Sequence, residues 1–290
     1  MRSATLIALS VLVVAGCGAG SSADPAAPVL HVYTSLYPLA QAVEQIGQGK
    51  VTVTDVVPAG ADPLTYVLVP AQVAELRQAG LVVEIGGGFQ TSFEKAAEGS
   101  PHVLALQAAL GASDPYVWLD PNVMQRAIAA IARAMEDTNP EAAGLYRSGE
   151  QDFSASVEST GIDYESTLSA CPRTTIFTAD DAFGAMARDY GLRDVVVGSS
   201  PDPSQSSVSG AAGEVEAAGA TTVFGEPWLS ETPIEAIAEA AHAKVRTLDT
   251  LAGPPEVGWP AQANYINLLE SNLGTLSSAL GCPDAATGSD

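Results

Sequence analysis

From residue 29 onward, short β-branched and apolar runs alternate with stretches whose apolar positions recur at helical spacing. Residues 29–35 (VLHVYTS), 51–57, 81–85 and 103–106 read as strands. Residues 36–47 read as a helix with Leu39, Val43 and Ile46 on one stripe. A second helix covers 70–79 and starts at Pro70, whose missing N–H is no loss in a first turn. The run 81–85 is apolar except for Glu84, as in a parallel strand covered on both faces. The second half repeats this pattern. Strands are predicted at 174–178, 194–197, 221–224 and 244–248, with helices near 182–190, 209–218, 233–243 and 262–280. Alternating βα units predict an α/β fold of two lobes, each with a mostly parallel sheet.

Between the halves, residues 121–170 carry no strand pattern. Asn139 can cap a helix and Pro140 suits its first turn. A helix over 140–169 would be roughly 45 Å long at 1.5 Å per residue, enough to join two lobes. Gly144, Gly149 and Gly161 weaken it, and a break near Thr160–Gly161 is expected if they dominate. The resulting plan is an N-terminal lobe (29–120), a helical region with the lobe-spanning helix (121–170), a C-terminal lobe (171–282) and a tail (283–290).

The first residues follow a different pattern. Arg2 precedes an apolar run over 4–15, too short for the roughly 20 residues of a spanning helix but suited to a secretory signal at 1–16. Val14-Ala15-Gly16-Cys17 resembles a bacterial lipobox, in which Cys17 would be lipidated and become the new N-terminus. A plain signal peptide with an incidental Cys is the alternative. Residues 17–28, rich in Gly, Ala, Ser and Pro, would then be a flexible tether. The expected location is the outer face of the cytoplasmic membrane, held by the lipid anchor.

Composition narrows the classes. The 290 residues include 34 Asp+Glu against 12 Lys+Arg, a formal net charge of −22. That excludes a nucleic-acid partner, which needs a basic surface. Hydrophobic residues are 47 % and charged residues 16 %, which excludes wholesale disorder. Besides Cys17, only Cys171 and Cys282 remain. An exported compartment permits a disulfide, and one pair has one connectivity; two free buried thiols are the alternative. Gly86-Gly87-Gly88 follows a strand but lacks the Lys-Ser/Thr of a phosphate loop, so a tight turn is expected. Residues 199–205 read as a loop, and Trp228 suits either packing or a cleft. No nucleophile elbow is present, so no enzymatic activity is expected.

Several segments, in order, resemble the zinc/manganese-type ABC-transporter substrate-binding lipoproteins (the ZnuA/TroA-like family). They are Val32-Tyr33-Thr34-Ser35 with Tyr37-Pro38, then Pro58-Ala59-Gly60-Ala61-Asp62-Pro63-Leu64-Thr65-Tyr66, then Asp114-Pro115-Tyr116-Val117-Trp118-Leu119-Asp120-Pro121. Thr178-Ala179-Asp180-Asp181-Ala182-Phe183-Gly184, Val223-Phe224-Gly225-Glu226-Pro227 and Leu248-Asp249 follow. The likeness runs from about residue 29 to 282, and the block around Trp118 is the most specific. It implies two lobes on one long rigid helix, a metal ion held in the cleft by His and carboxylates, and delivery to an ABC permease driven by a cytoplasmic ATPase.

The carry-over departs from the family at the ligands. Where the resemblance implies His, this chain has Leu64 and Tyr116; at the third position it has Asp180, and Asp249 alone keeps its expected type. His31, His102 and His242 all lie off these positions. Leu64 marks a lost ligand, since Leu has no donor atom. Asp180, Asp249 and Tyr116 remain as candidate metal ligands. Zinc favours thiolate and imidazole donors, whereas oxygen donors suit Mg²⁺, Ca²⁺ or Mn²⁺, and phenolate suits ferric iron. The expectation is therefore a substrate-binding lipoprotein of a metal-type ABC importer with an altered site, zinc disfavoured. Two alternatives stay open. One is a site-less accessory subunit docking on a permease or on a surface-anchored protein. The other is a binder of a different small ligand, such as a metal chelate, through Tyr116, Tyr66 and Trp228.

Overall fold

The computed structural model describes residues 29–198, 203–253 and 264–283. The signal, Cys17 and the tether lie outside these residues, as do most of the 199–205 loop, the start of the helix predicted from 262 and nearly all of the tail.

The N-terminal lobe runs β1 (Leu30–Thr34), α1 (Tyr37–Gly47), β2 (Val51–Asp55), α2 (Pro70–Leu76), β3 (Leu81–Glu84), α3 (Thr91–Ala97), β4 (Val103–Ala105) and α4 (Leu106–Leu110). The linking region holds α5 (Pro121–Thr138), a 3-10 turn at Pro140–Ala142, and α6 (Ala143–Leu168). The C-terminal lobe runs β5 (Thr175–Thr178), α7 (Gly184–Asp189), β6 (Arg193–Val196), α8 (Gln205–Ala217), β7 (Thr222–Gly225), α9 (Thr232–Ala240), β8 (Lys244–Thr247) and α10 (Tyr265–Leu280). Each lobe has one four-stranded sheet, in the orders β2-β1-β3-β4 and β6-β5-β7-β8, with every pairing parallel. The predicted α/β architecture with two parallel sheets is what forms.

The two orders are the same topology used twice. In each, the chain leaves its first strand toward one edge and returns to the other, so connections diverge beside the first strand. Ligands in open α/β sheets bind at the carboxyl ends of strands at this switch point. In the C-terminal lobe the switch lies between β5 and β7, which places the residues after Thr178 and Gly225 side by side.

α6 crosses both lobes, packing on α1 and on α10. Its buried positions, Tyr146, Gly149, Phe153, Val157, Thr160, Gly161, Tyr164 and Leu168, recur every three or four residues. The predicted lobe-spanning helix forms without a break at Thr160–Gly161 and is continuous over 26 residues, about 39 Å. Gly149 and Gly161 are contact points instead, whereas Gly144 faces open space. A Cβ on Gly149 would lie 2.3 Å from the Ile46 carbonyl oxygen, so only Gly lets α6 approach α1 this closely. The helix starts later than predicted because its first residues tighten into the 3-10 turn.

α5, undelimited in the sequence pattern, is capped by Asp120, whose Oδ1 accepts the Asn122 N–H at 2.8 Å. The short α3 and α4 also escape the pattern, being under two full turns of periodicity. One hydrophobic core runs through both lobes, joining Val32, Leu36 and Trp118 to Phe224, Leu248 and Tyr265. Polar latches cross it. The Trp118 indole N–H donates to the Thr250 carbonyl at 2.7 Å, the Tyr265 hydroxyl donates to the Trp118 carbonyl, and the Tyr37 amide donates to the Ala252 carbonyl at 3.1 Å. Cys171 and Cys282 form a disulfide, tying the end of α6 to the end of α10.

Candidate metal centre

The N-terminal side of the cleft is built by Asx turns. Asp62 accepts the Leu64 N–H at 2.9 Å and the Thr65 hydroxyl at 2.7 Å, so its carboxylate is spent shaping the loop. Leu64 lines a cavity of about 190 Å³ within the N-terminal lobe, beside Val57, Gln90 and Phe93. Its half-buried side chain offers that cavity no donor atom. Gln90 fixes the loop by donating to the Pro63 carbonyl at 2.8 Å. The Gly86–Gly88 turn has positive φ at all three residues (80°, 72°, 88°), as a tight turn requires.

Tyr116 is set by the same device: Asp114 Oδ1 accepts its amide N–H at 2.9 Å. Its ring packs edge-on to Phe89 at 5.2 Å and tilted to buried Trp118 at 5.4 Å, an aromatic wall that fixes the phenol. Burial and then the charges of Asp180, Glu226, Asp181 and Asp114 push the phenol well above its ordinary range. In the metal-free protein Tyr116 is a neutral hydroxyl facing carboxylates from across the cleft.

Those carboxylates sit at the switch point of the C-terminal sheet. Asp180 follows β5, and its Oδ1 accepts the Ala182 N–H at 2.8 Å in an Asx turn ahead of α7. Glu226 follows β7 and is only 6 % exposed. Its Oε1 is buried with no hydrogen-bond partner among the described residues. Burial first, then a hydrogen bond with the Asp180 side chain and the nearby charges, push it up to about 9. Asp194 on β6 receives the Thr178 hydroxyl at 2.6 Å and is raised to about 6, again mainly by burial. Three carboxyl groups, Glu226 buried and Asp180 and Asp194 half-buried, thus share one end of the sheet, and none of them forms a salt bridge among the described residues. One proton stays on Glu226, because carboxylates this close resist ionising together.

Asp249 ends up beside α10. Its Oδ1 accepts the Leu251 N–H at 2.7 Å. Asn272 clamps its backbone on both sides, accepting the Asp249 N–H at 3.0 Å and donating to its carbonyl at 2.7 Å.

The structure therefore brings Tyr116 and Asp180 into mutual electrostatic reach and adds Glu226 and Asp194, which the sequence reading did not single out as ligands. Being the residue directly after a strand at a switch point is the signal that would have found Glu226. Among the described residues, no three His, Cys, Asp or Glu side chains converge closely enough to hold a metal ion as they stand. His31, His102 and His242 are all exposed, on β1, before β4 and after α9. Tyr66 and Trp228, the other residues suggested for a small ligand, are engaged in packing. The Tyr66 hydroxyl donates to Gln72 at 3.1 Å, and the Trp228 ring lies so near Gly253 that a Cβ there would come within 2.6 Å of it.

Comparison with known proteins places this geometry. The family described as "Zinc-uptake complex component A periplasmic" (ZnuA) matches residues 32–279. The high-affinity zinc uptake system protein ZnuA of Bacillus subtilis (strain 168) is 26 % identical over 307 aligned positions, covering 95 % of this chain and 96 % of that protein. The zinc-binding protein AdcA of Streptococcus pyogenes serotype M1 is 28 % identical over 168 residues, 57 % of this chain and 33 % of that one. Among solved structures, the metal-dependent lipoprotein YcdH from Bacillus subtilis superposes with a TM-score of 0.78 at 24 % identity, covering 87 % of this chain and 99 % of that one. The periplasmic zinc binding protein TroA from Treponema pallidum gives 0.78 at 20 % identity with the same coverage. At these identities the structural likeness speaks to the fold.

Proposed function

The chain belongs to the zinc-uptake complex component A family and is an extracytoplasmic substrate-binding protein of a metal-type ABC importer; from that premise we propose that its cargo is an oxygen-preferring cation rather than zinc. The observation that supports this most is the donor set. Tyr116, Asp180 and Glu226 lie within electrostatic reach of one another and carry only oxygen donors, Asp249 keeps the carboxylate that the resemblance implies, Leu64 has no donor, and every His is elsewhere. Oxygen donors alone suit Mn²⁺, Ca²⁺, Mg²⁺ or ferric iron. A cation entering would displace the Glu226 proton and gather the carboxylates, so the site would form on binding.

The lipid anchor at Cys17, the tether and docking on a permease and its ATPase complete the reading. No catalytic role is assigned. No helix among the described residues is long and apolar enough to cross a membrane.

Elemental analysis of protein from its own host, with calorimetric titration of Zn²⁺, Mn²⁺, Ca²⁺ and Fe³⁺, tests the cargo. The expected result is an oxygen-preferring metal in native protein, and a zinc Kd no tighter than about 1 μM. Stoichiometric zinc, or nanomolar zinc affinity, would overturn it. The dispersed ligands favour a second reading, an accessory protein that carries no ion. No binding of any of the four ions by folded protein would select it.

A further inference from the structure

The strands of the C-terminal sheet carry Glu226 at one end and a second polar feature at the other. A pocket of about 320 Å³ opens between the starts of β7 and β8 and the C-terminal half of α10. Lys244 and Arg246 are alternate residues of β8 and so project to one face. Ser271, Thr275 and Ser278 stand on one stripe of α10 at spacings of four and three and line the same pocket. Thr221 adds a further hydroxyl beside them. Gly274 lines the pocket between these hydroxyls and faces open space. Arg173, outside the lining, donates to the carbonyl of the lining residue Ala279 at 2.9 Å and 3.1 Å and so holds the end of α10 in place.

The charge makes this pocket unusual for the chain. Acids outnumber cations 34 to 12 overall, yet no lining residue is acidic. Among the described residues, neither Lys244 nor Arg246 forms an ion pair. Guanidinium and ammonium groups facing a row of hydroxyl donors match an oxyanion that accepts several hydrogen bonds. The pocket also exceeds the size of one such anion, leaving room for an ester substituent. We propose that it binds a phosphate group, either free or carried on a lipid headgroup. This site lies at the start of β7, whereas the cargo residues follow its end, so the two can succeed or fail separately.

The test uses the purified chain carrying Cys17→Ser, so that no acyl chain binds vesicles, at low salt in two arms. Inorganic phosphate is titrated by calorimetry and amide chemical-shift mapping, and flotation compares phosphatidylglycerol with phosphatidylcholine vesicles. Phosphate should bind with a Kd of about 1 mM and shift amides around Thr221 and Thr275. Lys244→Gln/Arg246→Gln should weaken binding at least about tenfold through loss of its charge-assisted contacts. Thr275→Val, which keeps both cations, should weaken it severalfold, and Lys50→Gln/Lys95→Gln, on the other lobe, should leave it unchanged. Flotation with phosphatidylglycerol that the pocket variant abolishes assigns a lipid source. Phosphate binding without flotation assigns free phosphate. No binding in either arm, or binding that survives loss of both cations, overturns the proposal.

Discussion

Glu226→Gln keeps the side-chain volume and removes the ionisation, which isolates the energetic state of the cleft. The Glu226 carboxyl is raised from 4.5 to about 9, chiefly by burial. Between those values the native protein holds a proton that the unfolded chain has released. The unfolding free energy of the metal-free protein then falls as pH rises, by about 1.4 kcal/mol per unit for one proton. The sign is that of a raised acid: its stability is fullest at the acid end of the window and is lost toward pH 9. At 6 % exposure, solvent screening takes little from this effect. Asp55, Glu84 and Asp120, raised to about 7, and Asp194, raised to about 6, impose slopes of their own at lower pH. The variant keeps all of these, so the difference between the two proteins reports Glu226. From pH 6 to pH 8 the wild type should lose about 2.7 kcal/mol relative to Glu226→Gln. Urea unfolding with chelator at pH 6, 7 and 8 measures it. Parallel pH dependences in the two proteins would refute the assignment of the buried proton.

Four further outcomes are expected. Gly149→Ala drives a methyl into the Ile46 and Gln45 carbonyls at 2.3 and 2.8 Å and should cost about 1–3 kcal/mol, lowering the midpoint of thermal unfolding by several degrees. Replacing Cys171 and Cys282 by Ser reopens a loop spanning 111 residues and should destabilise by up to about 4.7 kcal/mol in the chain-entropy account, read by denaturant unfolding with and without reductant. Trp118→Phe strands the buried Thr250 carbonyl and should cost about 1–3 kcal/mol, seen in the same unfolding curves. Leu64→His with Tyr116→His restores two imidazoles and should raise zinc affinity by at least about tenfold in calorimetry; unchanged zinc binding would show that the loops do not converge on one ion.

Much of the fold is legible in the order of residues because it rests on short-range chemistry. Short β-branched and apolar runs mark β1 through β8, and Pro70 and Asn139-Pro140 mark starts of local structure, since a residue's own backbone and its neighbours decide them. The three departures at Leu64, Tyr116 and Asp180 and the three displaced His are also sequence facts, and they fix which donor atoms exist. What the chain order leaves open is where those atoms go and in what protonation state. Gly149 and Gly161 read as helix breakers, yet they lie inside a continuous helix because tertiary contact with α1 and α5 needs their missing Cβ. Glu226 reads as one acid among 34, yet the parallel pairing of β5 with β7 sets it beside Asp180 under nearly complete burial. Desolvation and charge proximity act through space between residues far apart in the chain. The sequence therefore determines the inventory of the cleft, and the tertiary structure alone decides which carboxyl keeps its proton.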